Sequence, residues 1–394
     1  MSKLPKKVLI IDQDQTETNR ITSILSKHSI PVITATNWEQ AIYHYNQNKI
    51  DMVICQNNLD AQPAPLVIQK FRGHEVPSKR NPGFIITHSK ALEAGETQLL
   101  AELGEIVTVP KPIKEATLIS LVTKAMIAAE GRWKLHRVQV DLIDPLLAKK
   151  KFDKACEFAE TKLMDVGSKG QFAASHVFEE AENFKKAINV TSKLHQEDPK
   201  NLNYVNHLAR LKMKTGDLQD ASKLYEKADR LAPDNLARLE EMATLYLELN
   251  APDKSIEKYK QLITHNPEEP DLKYDFFERL QNAGFEKEAQ RFCAETTGAM
   301  ELIRHFNNKG VMYSKAKKFV DAIDEYEKAR RLIPNSKDIY RILYNMAIAH
   351  INLKTKQHIE EADKLLREII KINPEFEKAQ EKLAITEKAL KKAG

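Results

Sequence analysis

Cysteine is scarce: the 394 residues hold three, Cys55, Cys156 and Cys293. An odd number so far apart fits neither a disulfide framework nor a paired-cysteine zinc site. A reducing, cytoplasmic setting is expected. Glycine (12) and proline (16) are also few, which excludes collagen-like and low-complexity chains. Long apolar runs are missing. The first, Val8–Ile11, stops at Asp12, whereas a signal peptide needs about 7–15 apolar residues and a spanning helix about 20. No membrane insertion is expected. Charge of one sign is lacking too. The first 130 residues carry 14 basic against 13 acidic residues, and the whole chain is only +5. Phosphate-backbone binding needs a concentrated basic face, so no nucleic-acid partner is expected. No H-E-x-x-H, P-loop, G-x-G-x-x-G or G-x-S-x-G pattern occurs. No catalytic residue, metal or cofactor is therefore expected. Trp133 stands in a short basic stretch, Arg-Trp-Lys-Leu-His-Arg, and packing at a domain junction is its expected role.

What the chain does have is 42% hydrophobic and 30% charged residues. At roughly 150 residues per domain, its length suits about two or three domains. Through residue 130, short apolar runs alternate with helical patterns. Val8–Ile11, Pro31–Ala35, Asp51–Cys55, Phe84–Thr87 and Glu105–Val109 read as strands. Continuous apolar strands of this length, separated by helices, predict a doubly wound α/β fold with a five-stranded parallel sheet. Ligands of such sheets sit outside the carboxyl ends of the strands. Those ends carry Asp12, Gln56, Thr87 and Lys111.

These motifs resemble the receiver domain of two-component response regulators over about residues 5–127. VLIIDQD resembles the family's first strand with its acidic pair, and DMVICQNNL the strand that ends in the phosphorylated aspartate. FIITHS resembles the switch strand, and the stretch from Gly104 to Pro112 the one that leads to the lysine. The resemblance places the phosphoacceptor on Gln56 and the second acid on Gln13. A side-chain amide cannot form an aspartyl phosphate. The three carboxylates that the resemblance implies fall to one, Asp12, with Asp14 as a further candidate, so Mg²⁺ binding should be weak. The expectation is a pseudo-receiver in which Gln56 donates to Asp12 and Lys111 balances charge. His88 is expected to crowd the entrance, and Thr108 stands at the family's aromatic switch position. Phosphorylation at a substitute acid, Asp60 or Asp51, or gating by a small ligand, remains the alternative.

After about residue 130 the strand signals stop. Pro199, Pro233 and Pro267 are spaced by 34, followed by Pro334 and Pro374. Twelve residues before these prolines stand Ala187, Ala221, Ser255, Ala322 and Ala362. Eight before them stand Thr191, Tyr225, Tyr259, Tyr326 and Leu366. A 34-residue helical period resembles tetratricopeptide repeats, which stack into an all-α superhelix. Repeats fall near 168–201, 202–235, 236–269, 270–302, 303–336 and 337–376. A half-matching pair precedes them, and an amphipathic cap follows. The expected division is 1–127 for the receiver-like domain, 128–135 for a helical junction and 136–394 for six or seven repeats.

The repeat resemblance implies a concave groove that holds a protein partner. Its lining is expected to include Asn203, Asn206 and Arg210, then Glu240 and Thr244, then Arg304, Asn307 and Val311. A second copy or a signalling partner is expected on the receiver face made by the fourth helix, fifth strand and fifth helix. The whole reads as a non-enzymatic signalling adaptor, in the bacterial setting that the receiver resemblance implies.

Overall fold

The computed structural model describes residues 4–59, 62–73, 82–267, 269, 271–296, 299–332 and 339–393. Asp60, Pro334 and the side chain of Trp133 lie outside the described residues. The chain forms two compact units, 1–267 and 268–394.

In the first unit, β1 (Val8–Ile11), β2 (Val32–Ala35), β3 (Met52–Gln56), β4 (Gly83–His88) and β5 (Val107–Pro110) form one sheet. Its order is β2-β1-β3-β4-β5, parallel throughout. Successive strand side chains point to opposite faces. Leu9, Ile11, Val53, Cys55 and Ile86 pack against α2 (Trp38–Gln47), α3 (Ala64–Arg72) and α4 (Ala94–Glu102). Val8, Ile10, Ile54 and Ile85 pack on the other face, against α1 (Gln15–Lys27) and α5 (Glu115–Val138). Burial on both faces explains why these strands read as unbroken apolar runs. α5 continues without interruption past residue 130.

Helices then follow in pairs. After α6 (Asp144–Ala148) and α7 (Phe152–Lys162) come α8/α9 (Gly167–Glu180, Phe184–Glu197), α10/α11 (Leu202–Lys214, Leu218–Leu231) and α12/α13 (Leu236–Glu248, Pro252–His265). The second unit holds α14/α15 (Leu272–Asn282, Glu286–Thr296), α16/α17 (Ala299–Lys315, Phe319–Leu332) and α18/α19 (Tyr340–Leu353, Lys356–Ile372), closed by α20 (Glu377–Ala393). The residues twelve before the period prolines, Ala187, Ala221, Ser255, Ala322 and Ala362, are all fully buried. A small side chain there lets paired helices approach.

A backbone signature marks the turn inside each pair. Glu182, Gly216, Asn250, Gly284, Lys317 and Lys354 all have positive φ, between 55° and 86°. Gly216 N–H donates to Met213 O, and Asp217 N–H to Lys212 O. This is a Schellman C-cap, which satisfies carbonyls left free at a helix end. The same pair of bonds recurs at Glu182, Asn250, Gly284 and Lys317. It also recurs at Lys150, between α6 and α7. Glycine fills only two of the six positions inside the repeats.

Candidate interaction surface

The sheet's carboxyl edge brings Asp12, Gln13, Gln56, Thr87 and Lys111 together. Lys111 Nζ donates to Asp12, 2.6 Å from Oδ2 and 2.8 Å from Oδ1, and lies 3.4 Å from Gln56 Oε1. The Gln13 backbone N–H also donates to Gln56 Oε1, at 3.3 Å. Gln56 does not donate to Asp12 as expected. Its amide N–H turns to Asn58 O at 2.7 Å, because the lysine already satisfies the carboxylate. Asp14 is not a second pocket acid. Its carboxylate caps α1 by accepting from Thr16 and Glu17 N–H groups. Mg²⁺, which the receiver resemblance implies, does not fit this donor set. One carboxylate remains, and an ammonium sits on it. His88 is half-buried, its Nδ1 2.9 Å from Lys90 O. Thr87 is fully buried, and its hydroxyl has no partner among the described residues. Asp51 lies at the opposite end of β3 and accepts from the Lys6 and Lys7 N–H groups.

The expected groove residues divide into three environments. Asn203 and Asn206 on α10 face the sheet domain. Asn203 Nδ2 donates to the backbone carbonyl of Glu102 at 2.9 Å, and Asn206 Nδ2 donates to its carboxylate. Arg238 Nη1 joins them, 2.7 Å from Glu102 Oε1 and 3.3 Å from Asn206 Oδ1. The Arg238 and Glu102 side chains are 0% and 2% exposed. Burial raises the Glu102 pKa above the usual carboxylate range, although Arg238, Asn235 and Asn206 oppose the shift. Nearby, Leu99 of α4 packs among Leu202, Val205, Ala228 and Ala232. Gln69 of α3 accepts from Leu236 N–H at 2.7 Å and donates to Asp234 O at 3.0 Å. The face on which a second copy or a signalling partner was expected is therefore covered at α4 by the chain's own repeats. Beside α4 a cleft of about 690 Å³ separates Ile106 and Thr108 from Phe172 and Tyr204.

Arg210 lies in a second environment, a charged knot on α8, α10 and α12. Its fork meets Glu179, Nε to Oε1 at 2.8 Å and Nη2 to Oε2 at 3.0 Å. Nη1 reaches Glu241 Oε1 at 3.2 Å, and Tyr225 OH donates to Glu241 Oε2 at 2.7 Å. Burial pushes the Glu179 carboxyl up, but bonds from Arg210 and Lys214 outweigh it and hold the pKa well below normal.

Within this knot Ser175, His207 and Glu179 outline a hydrolase triad, with Ser175 Oγ 2.8 Å from His207 Nε2. The tautomer runs the wrong way. Arg210 is always cationic and lies 2.8 Å from His207 Nδ1, so Nδ1 accepts and the proton sits on Nε2. Ser175 therefore receives a hydrogen bond from the imidazole and is not activated by it. His176, Glu179 and His207 are also close enough to share a metal. Arg210 Nη2 stands 2.8 Å and 3.2 Å from the two Nδ1 atoms and occupies the space between them.

The third environment is less constrained. Glu240 and Thr244 are half-buried on α12, where the Thr244 hydroxyl donates to Glu240 O at 3.1 Å. In the second unit, on α16, Arg304 is exposed, Val311 is half-buried, and Asn307 accepts from the amide of Asn345. Sequence reading passed over Glu102 and Arg238. The period holds one signal: Arg238 is in register with Gly170, Tyr204 and Leu272, so an arginine interrupts an uncharged column.

Residues 179–246 match the family described as tetratricopeptide repeat. A curated relative, BBSome complex member BBS4 of Bos taurus, is 26% identical over 148 residues. That match covers 37% of this chain and 28% of the relative, so the chain spans under a third of the relative's length. Among solved structures, the C-terminal part of a TPR repeat-containing protein from Cytophaga hutchinsonii is 18% identical, with a TM-score of 0.32. The match covers 51% of this chain and 78% of that one. A tetratricopeptide repeat protein from Parabacteroides merdae is 14% identical, with a TM-score of 0.31, covering 56% and 98%. Residues 179–246 thus carry tetratricopeptide repeats, within an all-helical array that follows an α/β domain. Among the described residues nothing points to catalysis, and no helix is long and apolar enough to cross a membrane.

Proposed function

We propose that this chain is a non-enzymatic signalling adaptor of the bacterial cytoplasm. A phosphorylation-independent pseudo-receiver is held against tetratricopeptide repeats that bind a protein partner. The observation that carries this reading is the Gln56 amide at the end of β3, with Lys111 paired to Asp12 beside it. In this arrangement the lysine is already neutralised by the one pocket carboxylate, so a permanent state replaces a switched one. The alternative is a regulator labelled at a substitute acid. Asp51 is spent on Lys6 and Lys7 at the wrong end of the sheet, and Asp60 lies outside the described residues. Labelling with acetyl phosphate and Mg²⁺ separates the two. The adaptor reading expects no label on wild type, and label on a Gln13→Asp/Gln56→Asp chain. Stable label on wild type, lost in Asp60→Ala, would overturn it.

A further inference from the structure

The contact between α4 and the repeats has the form of ligand recognition rather than of a shared core. One residue, Glu102, is read twice: Asn203 takes its backbone carbonyl, while Asn206 and Arg238 take its carboxylate. Three residues earlier on the same helix, Leu99 enters an apolar socket of Leu202, Val205, Ala228 and Ala232. One residue later, Leu103 packs against the same cluster. Positions i, i+3 and i+4 share one helix face, and that spacing is how an amphipathic helix is read in a groove.

The fit is also incomplete. Glu102 Oε2 is buried without a hydrogen-bond partner among the described residues, and Arg238 Nε meets Asp229 Oδ1 only as an ion pair at 3.7 Å, too long for a hydrogen bond. A desolvated ion pair with unmet bonds contributes little net affinity, and an interface between domains of one chain resembles a transient one. Such a contact can be exchanged for a better one.

We propose that the second and third repeats form a helix-binding site that reads a carboxylate, with α4 as its ligand in cis. A protein partner presenting a helix with the pattern leucine-x-x-glutamate-leucine would take the site by displacing the sheet domain. This deepens the adaptor reading by naming the chemistry of the partner and the step that admits it.

The test uses the full chain and an acetylated, fluorescent peptide copying residues 94–105, AGETQLLAELGE. A second peptide carries alanine in place of the glutamate of Glu102. Wild type should bind the first peptide weakly. Glu102→Ala, whose own ligand is weakened, should bind it at least tenfold tighter. The alanine peptide should lose at least tenfold, and adding Arg238→Met to the Glu102→Ala chain should abolish binding. Hydrogen exchange over residues 94–102 should rise as the peptide binds. The proposal is overturned if folded Glu102→Ala fails to bind, if both peptides bind equally, or if exchange in α4 does not change. None of these results alters phosphate labelling, so the adaptor reading fails or stands on its own experiment.

Discussion

Glu102 and Arg238, 136 residues apart in the chain, meet at 2.7 Å with almost no solvent access. The pair ties the last residue of α4 to the first turn of α12. Removing one partner leaves the other charge buried alone, which costs about 3–5 kcal/mol. Arg238→Met should therefore lower stability by about that much in urea unfolding of the full chain. Glu102→Ala/Arg238→Met should recover a large part of the loss, because both charges are then gone. Additive losses in this double-mutant cycle would show that the pair does not couple.

His207 supplies a pH dependence. Burial first, then the neighbouring His176 and the Arg210 charge, pushes its pKa down to about 2. Unfolded, an imidazole titrates near about 6.5. The unfolded chain therefore takes up a proton that the folded chain refuses, and stability falls as pH drops below about 6.5. The loss reaches about 2 kcal/mol at pH 5. His305 and His350 are also depressed by burial and add to the slope. The readout is thus the difference between wild type and His207→Gln, whose stability should vary less between pH 7 and pH 5.

The six left-handed turns predict opposite effects at different repeats. Lys317→Gly and Glu182→Gly should each stabilise the chain by about 0.5–1 kcal/mol, since a Cβ at positive φ is penalised. Gly216→Ala and Gly284→Ala should each cost about 1 kcal/mol. No atom lies within 4 Å of a Cβ built on either glycine, so the cost there is backbone alone. Thermal unfolding of the four variants distinguishes the signs.

Gly310 is a matter of space. A Cβ on this glycine would stand 2.3 Å from Tyr326 Cε1, and Tyr326 is fully buried. Gly310→Ala should cost about 1–3 kcal/mol by overpacking. Tyr326→Leu, with the residue that the sixth repeat carries at this position, should relieve part of that cost in the double variant. Circular dichroism melts of the three chains give the comparison.

The periods of the sequence carried most of the fold. Strands buried on both faces show as apolar runs, and a 34-residue helical spacing locates each helix pair. The turn geometry was legible only where glycine stands, at Gly216 and Gly284. At Glu182 and Lys317 the same conformation is imposed by the Schellman bonds and leaves no trace in residue type. Gln56 was legible as an amide at the place where the receiver resemblance implies a carboxylate. Its hydrogen bonds were not, because they depend on which neighbour reaches the carboxylate first, and Lys111 does. Asn203 and Asn206 were expected to line a partner groove because the repeat resemblance implies it. What they bind was hidden: periodicity defines a face but cannot say that α4, a hundred residues earlier, covers it.

The docking of α4 bears on how this chain can be divided. Composition suggests a cut near residue 130, where strands give way to helices. Severing the chain there would bare Leu99 on one fragment and Leu202, Val205 and Ala232 on the other, and leave the Arg238 guanidinium without Glu102. Two adhesive fragments would result, each prone to capture whatever acidic helix a lysate offers. Scissors belong instead near Pro267, where the first compact unit ends with its ion pair intact.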